Sequence, residues 1–72
     1  MNGTTTKALL DCIENEDINT EKFFQRHPLN EPLKQDLIKL KNLGYITLDF
    51  GDNTITDIAA NPKLLDLLKA TR

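Results

Sequence analysis

The stretch PLKQDLIKLKNLGYITLDFGDNTITDI, residues 32–58, decides the fold, because a helical pattern in it ends at a glycine and a strand pattern follows at once. Four leucines recur at helical spacing and predict one apolar stripe: Leu33, Leu37, Leu40 and Leu43. Asn30 is a suitable N-cap residue, and Pro32 is tolerated in the first turn of a helix. Gly44 can close the helix in the left-handed conformation. The sequence therefore predicts a helix over residues 31–43.

The residues after Gly44 alternate between apolar and polar. Three apolar residues two apart predict one face of a strand: Ile46, Leu48 and Phe50. Asp52 and Asn53 tolerate positive φ, so we expect a tight turn there that sets Ile55 opposite Phe50. Ile55 and Ile58 are three residues apart, which breaks the alternation. We therefore expect the second strand to end near Thr56.

The N-terminal third of the chain predicts two helices. Residues 1–5 lack a packing pattern and are expected to be flexible. A threonine at position 5 or 6 can cap a first helix over about residues 7–16. A second, short helix over residues 20–26 is capped by Asn19 or Thr20 and stops near His27, because Pro28 disfavours helical geometry in the residue before it. Phe23 and Phe24 form its buried side.

Two further segments complete the predicted core. Leu29 lies in the connection between the second and third helices, where it can pack beneath both. Asn61 and Pro62 begin a last helix over residues 62–70 with four leucines: Leu64, Leu65, Leu67 and Leu68. This apolar surface covers the core, and we also consider that part of it forms a homodimer.

Composition limits the class of protein. With 72 residues the chain forms one domain with a small core. A single Cys12 forms no internal disulfide, and with the single His27 it gives too few ligands for a zinc site, so we expect no metal or cofactor. No segment has the length and apolar character of a membrane span or of a signal peptide. The expected location is the cytoplasm.

The charges are unevenly distributed, although the net charge is only −2. Residues 20–43 hold five Lys or Arg against three acids, a net charge of +2. Residues 44–61 hold three acids and no Lys or Arg, a net charge of −3. Any binding of nucleic acid must therefore rest on residues 20–43 and on the C-terminal Lys63, Lys69 and Arg72.

Enzymatic sites are not indicated. Serine is absent, and a Cys12–His27 dyad lacks a third group to orient it, so a buried cysteine and a histidine in a turn explain both residues. The triplet Asp49-Phe50-Gly51 matches a kinase metal-binding motif by chance, because the chain is too short for the rest of a kinase. We expect no enzyme activity.

The run LIKLKNLGYI followed by ITLDFGDNTITD resembles the recognition helix, glycine and wing of small bacterial and phage winged-helix proteins. The matching positions are Leu37, Leu40, Gly44 and Ile46, together with Thr56-Asp57. The resemblance implies a mostly helical α+β fold in the order α-α-α-β-β-α. In it residues 20–43 form a helix-turn-helix, residues 45–58 form a two-stranded wing, and residues 62–70 form the C-terminal helix of a single domain.

The resemblance also implies a function, that of a small DNA-binding transcriptional regulator with the helix of residues 31–43 in the major groove. The side chains expected at the DNA are those opposite the leucine stripe and at its edge: Lys34, Gln35, Ile38, Lys39, Lys41 and Asn42. Lysine can bind phosphate or guanine, and Gln and Asn can pair with adenine.

The alternative is a winged-helix module that binds a protein and no DNA. Two observations favour it, the apolar Ile38 on an otherwise polar face and the acidic wing, which repels phosphate. The docking residues would be Ile38, Tyr45, Asp49 and Asp52. Their charge predicts a basic protein partner.

Overall fold

A computed structural model describes residues 3–70 of the chain. Within them lie four helices and two two-stranded antiparallel sheets, which confirms the predicted α+β class with mostly helical content. The elements follow in the order α1 (Gly3–Asp11), β1 (Ile13–Glu14), β2 (Asp17–Ile18), α2 (Thr20–Arg26), α3 (Glu31–Asn42), β3 (Ile46–Gly51), β4 (Thr54–Ala60) and α4 (Pro62–Ala70).

The prediction for the N-terminal segment was wrong in two respects. Helix α1 begins at Gly3 and ends at Asp11, whereas the sequence predicted about residues 7–16 and a flexible start. Thr5 is 5% exposed, and its Oγ1 donates to Asp36 Oδ2 at 2.8 Å, so α1 is fixed against α3. The expectation of flexibility for residues 1–2 falls outside the described residues.

A short hairpin, β1–β2, replaces the end of the predicted first helix. Ile13 pairs with Ile18 and Glu14 with Asp17. Asn15 and Glu16 form the turn with φ values of 53° and 66°. These left-handed conformations match the right-handed twist of the two strands, so two residues are enough to reverse the chain.

The two helices predicted within residues 20–43 form, with a short connection between them. The Oδ1 atom of Asn19 caps α2 by accepting a hydrogen bond from the backbone N–H of Lys22 at 3.0 Å, and α2 ends at Arg26 before His27. Leu29, in the connection to α3, is half-buried and packs against the core. The buried side of α2 is mainly Phe23, while Phe24 is half-buried at its edge.

The hairpin β3–β4 forms with the predicted turn, but β4 is longer than predicted. Asp52 and Asn53 have φ values of 51° and 63°, and Phe50 pairs with Ile55. Asp49 pairs with Asp57, but the next residue, Phe50, pairs with Ile55, so a bulge shifts the register between these two pairs. Pairing resumes after the bulge, and strand β4 continues to Ala60. The bulge places one extra residue, Thr56, in β4.

This bulge changes which side chains reach the core. With one extra residue between them, Ile55 and Ile58 are both buried although they are three residues apart. On β3, Ile46 and Leu48 are buried as predicted, but Phe50 is 50% exposed. The prediction of a buried Phe50 was wrong: Phe50 pairs with the buried Ile55 beside the turn, but its own ring is half exposed.

One core cluster joins all four helices and β2, β3 and β4. Its fully buried large side chains come from distant parts of the sequence: Leu9, Cys12, Phe23, Leu37, Leu40, Ile46, Ile58 and Leu64. Leu43, the last residue of the predicted stripe, is instead 50% exposed. It lies at the C-cap of α3, where the helix passes the edge of the core.

Two oxygen atoms attach the N-terminal half of the chain to the outer edge of β4. Asp17 Oδ1 accepts from the backbone N–H of Ala60 at 2.8 Å, and Thr20 Oγ1 accepts from the N–H of Ile58 at 3.0 Å. The hydroxyl of Thr20 also lies 3.2 Å from the Ile58 carbonyl and 3.1 Å from Asp57 Oδ1. The hairpin β1–β2 and the start of α2 are therefore fixed beside β4.

Candidate nucleic-acid interface

Helix α3 is held at both ends. Asn30 Oδ1 accepts from the N–H of Leu33 at 2.9 Å at the N-terminus. At the other end Gly44 has a φ of 86°, and its N–H donates to the carbonyl of Lys41. Lys63 Nζ donates to the Leu43 carbonyl at 2.8 Å, so a basic side chain satisfies one of the last carbonyl groups of the helix.

Packing fixes which face of α3 is exposed. Leu37 and Leu40 are buried, and Leu33 packs against them at the edge of the core. The hydrogen bond from Thr5 to Asp36 holds one flank of the helix against α1. The opposite face is therefore presented to solvent in a fixed orientation.

The six predicted DNA-binding residues fall into two rows, each with the spacing i, i+4, i+7. One row consists of Gln35, Lys39 and Asn42, all of which are exposed. These three side chains form no hydrogen bond or ion pair with any other residue in the range 3–70. Their polar groups are therefore available to a ligand.

The second row consists of Lys34, Ile38 and Lys41. Lys41 is exposed, whereas Lys34 is half-buried. Ile38 is also half-buried and packs against the core cluster, so it lies at the edge of the polar face. The residue follows Leu37 directly, and this brings its side chain to the border between the core and the surface.

Of the two basic residues of α2, Lys22 is engaged in an ion pair and Arg26 is in none within the described residues. Lys22 Nζ lies 3.5 Å from Glu14 Oε1, and Asn19 Nδ2 donates to Glu14 Oε2 at 2.6 Å. The hydrogen bond from Asn19, and next the charge of Lys22, lower the pKa of Glu14 below its ordinary value. Arg26, at the end of α2, is exposed and was not among the predicted site residues.

The C-terminal basic residues add less positive charge to the candidate interface than the sequence predicted. The Nζ atom of Lys63 lies 4.5 Å from the centre of the Tyr45 ring, in addition to its bond with the Leu43 carbonyl. Lys63 therefore stabilises the junction of α3, β3 and α4. Lys69 is exposed on α4, and Arg72 falls outside the described residues.

The β3–β4 hairpin, the predicted wing, is acidic in the structure as in the sequence. Asp49, Asp52 and Asp57 are exposed, and no Lys or Arg occurs between residues 44 and 61. Phosphate is repelled by such a surface, so DNA cannot be held there by charge. The candidate nucleic-acid interface is therefore confined to the helices.

The alternative docking residues do not form one exposed surface. Ile38 and Tyr45 are half-buried against the core, and Tyr45 is covered by Lys63. Asp49 and Asp52 are exposed at the wing. The exposed apolar residue beside them is Phe50, which the alternating pattern had assigned to the core.

Cys12 and His27 have separate structural environments. Cys12 is fully buried in the core, and this burial is the main cause of the raised pKa of its thiol. His27 is half-buried, and its ring centre lies 5.2 Å from that of Phe23. Both residues thus pack within the fold.

Two other kinds of site are absent from residues 3–70. No group of three or more His, Cys, Asp or Glu side chains in this range is arranged to hold a metal ion. None of the helices in the same range has the length and apolar character needed to cross a membrane.

Comparison of the chain with protein-family models, with curated proteins and with solved structures finds no match. The candidate interface therefore rests on the geometry of α3 and its surroundings.

Proposed function

We propose that this chain is a DNA-binding domain of the winged-helix type, regulatory in role, which places α3 in the major groove. The observation that favours this function most is the row Gln35, Lys39 and Asn42 on the second helix of a helix-turn-helix. All three side chains are exposed, and none has a partner elsewhere in the described chain. Side chains of these types are the ones that contact base edges and phosphates in the major groove.

The row suggests a division of roles. Gln35 and Asn42 each have an amide that can pair with the N6 and N7 atoms of adenine. Lys39 lies between them and can bind guanine or a phosphate. Lys41 and Lys34 border the row and are suited to the phosphates on one side of the groove.

The arrangement around the helix also supports a winged helix-turn-helix. The hairpin β3–β4 follows α3 directly, and the side chain of Asp17 in β2 bonds to β4 at Ala60. The short hairpin thus lies beside the wing and α2, and α3 leaves its outer face open. With few cations and an acidic wing, a single domain should bind DNA weakly and with strong salt dependence.

An NMR titration of isotope-labelled protein with a mixed-sequence DNA duplex, at low and at higher salt, tests the proposal. We expect amide shifts centred on residues 33–42 that fade as salt is added. Lys39→Ala should lower the slope of log affinity against log salt by about one unit. Lys7→Ala removes the same charge from an exposed site on α1 and is the matched control.

The proposal fails if a folded protein shows no shifts on α3 at low salt. It also fails if Lys39→Ala and Lys7→Ala weaken binding equally, because the interaction would then depend on net charge alone.

A second function, binding of a basic protein segment at the wing, is favoured by one observation. Phe50 is 50% exposed and stands in sequence between the exposed Asp49 and Asp52. An exposed aromatic ring on a hairpin that has three acids and no Lys or Arg suits a partner that has both apolar and basic residues. The double variant Asp49→Lys/Asp52→Lys should abolish capture of such a partner and leave the shifts of α3 with DNA in place. Unchanged capture would exclude this surface.

A further inference from the structure

The two flanks of the exposed face of α3 differ in charge. Each residue of an α-helix is turned by about 100° from the one before it, so Lys34 and Lys41 lie on one side of the row that contains Lys39, and Asp36 lies on the other side. Asp36 Oδ2 accepts the hydrogen bond from Thr5 Oγ1 at 2.8 Å, so the acidic flank is turned toward α1. The lysine flank is therefore the one that can lie against phosphates, and the row between the flanks faces the base edges.

The first and last members of that row, Gln35 and Asn42, are the two that carry an amide. Both are exposed, and neither side chain forms a hydrogen bond within residues 3–70. A phosphate oxygen only accepts hydrogen bonds and would leave the amide oxygen unpaired. Adenine offers the N6 donor and the N7 acceptor side by side in the major groove, so it pairs with both ends of an amide. The chemistry of the row thus favours adenine at both positions.

The helix fixes the distance between the two amides. Gln35 and Asn42 are seven residues apart, and with a rise of about 1.5 Å per residue this is roughly 10.5 Å along the helix axis. Successive base pairs are about 3.4 Å apart along the DNA axis. Because a helix that lies along the groove also follows its winding, this distance spans about two to three base-pair steps.

We propose that the site recognises two A·T pairs about two to three base-pair steps apart, one through Gln35 and the other through Asn42. This inference rests on the proposed DNA-binding function and adds the base pairs that are recognised. The substrate is duplex DNA, because the major groove of duplex RNA is too deep and narrow for side chains to read.

Fluorescence anisotropy of the full chain with labelled DNA duplexes tests the spacing. Each duplex carries two A·T pairs in an otherwise G·C sequence, at separations from about one to six steps. We expect the lowest dissociation constant at about two to three steps, at least about fivefold below those at other separations. Gln35→Ala and Asn42→Ala should each remove this dependence on separation, because one of the two adenine contacts is then lost.

Gln25→Ala is the matched control, because Gln25 is an exposed glutamine on α2 outside the row, and it should keep the dependence on separation. Far-UV circular dichroism confirms that each variant is folded. Gln35→Arg should change the preferred pair at one of the two positions from A·T to G·C, since arginine pairs with the O6 and N7 atoms of guanine. A residue with a merely structural role would not change which base is preferred.

Equal affinity at every separation, together with DNA-induced amide shifts on α3, would overturn this inference and leave the proposed function in place. The absence of DNA binding would overturn both. An RNA duplex of the same sequence that binds as tightly as the best DNA would also overturn the inference, because base edges in its major groove are out of reach.

Discussion

Thr20→Val isolates the contribution of one hydroxyl group to the fold. Thr20 Oγ1 accepts from the N–H of Ile58 at 3.0 Å and lies within donating distance of the Ile58 carbonyl and Asp57. Valine has nearly the same shape but cannot form these bonds. Ile58 is 1% exposed, so water has little access to the N–H group that loses its partner.

Two lost hydrogen bonds, each with a net value of about 0.5–1.5 kcal/mol, set the scale of the effect. The added methyl group of valine recovers part of this, up to about 0.8 kcal/mol. We therefore expect the free energy of unfolding to fall by about 1–2 kcal/mol. In a domain of this size that corresponds to a decrease in Tm of about 4–16 °C.

Urea denaturation followed by circular dichroism measures the effect. Thr54→Val is the matched control, because Thr54 is exposed on β4, the strand that contains Ile58, and forms no side-chain hydrogen bond within the described chain. Its effect should be within about 0.5 kcal/mol. The exchange rate of the Ile58 amide should also rise in Thr20→Val. Equal stability of the two variants would refute the assigned role of Thr20.

Three further predictions concern single positions. Gly44→Ala should destabilise the protein by about 1–2 kcal/mol in urea denaturation, because φ is 86° while no atom lies within 4 Å of the added Cβ. Gly44→Asn should lose less, and an equal loss would point to packing instead. Glu16→Gly should raise Tm, with a gain of about 0.5 kcal/mol, because Glu16 has a φ of 66° in a two-residue turn; a lower Tm would contradict this. Cys12 has a raised pKa in the folded state owing mainly to burial, so the unfolded chain ionises first as pH rises. The stability contributed by the neutral thiol is complete below the pKa of the unfolded chain and is lost as pH rises from there through the pKa of the folded protein. The urea midpoint of Cys12→Ala should therefore decline less between neutral and alkaline pH than that of the original protein.

The parts of the fold that depend on local chemistry were predictable. Asn30 caps α3, Gly44 closes it with positive φ, and the turn lies at Asp52 and Asn53. Each of these features follows from what one residue type can do with its own backbone or with the next turn. No distant contact is needed to predict them.

The errors arose where distant contacts or irregular pairing decide the outcome. The β1–β2 hairpin has strands of two residues, too short for alternation to show, and its turn contains Glu16 where glycine is usual. The bulge at Thr56 interrupts the alternation of apolar residues, so the sequence predicted the end of the strand there. Strand β4 in fact continues to Ala60. Phe50 is exposed near the turn, although its spacing from Ile46 and Leu48 is regular.

For the candidate site too, features set by local spacing were predictable and features set by distant contacts were not. Helical spacing correctly placed Gln35, Lys39 and Asn42 on an open face, since that depends only on which face the leucines bury. The spacing could not show that Ile38 packs at the border of the core, nor that Lys63 is bound to the Leu43 carbonyl. Both facts depend on elements that are distant in sequence.

The attachment of Asp17 and Thr20 to β4 has a consequence for self-association. An uncovered strand edge offers a row of N–H and carbonyl groups to any other extended chain, and this is a common start of aggregation. Here two side-chain oxygens occupy the outward N–H groups of Ile58 and Ala60, so a foreign strand finds those donors taken. The Ile58–Ala60 end of the β4 edge is therefore protected from pairing with another strand while the hairpin and α2 remain in place.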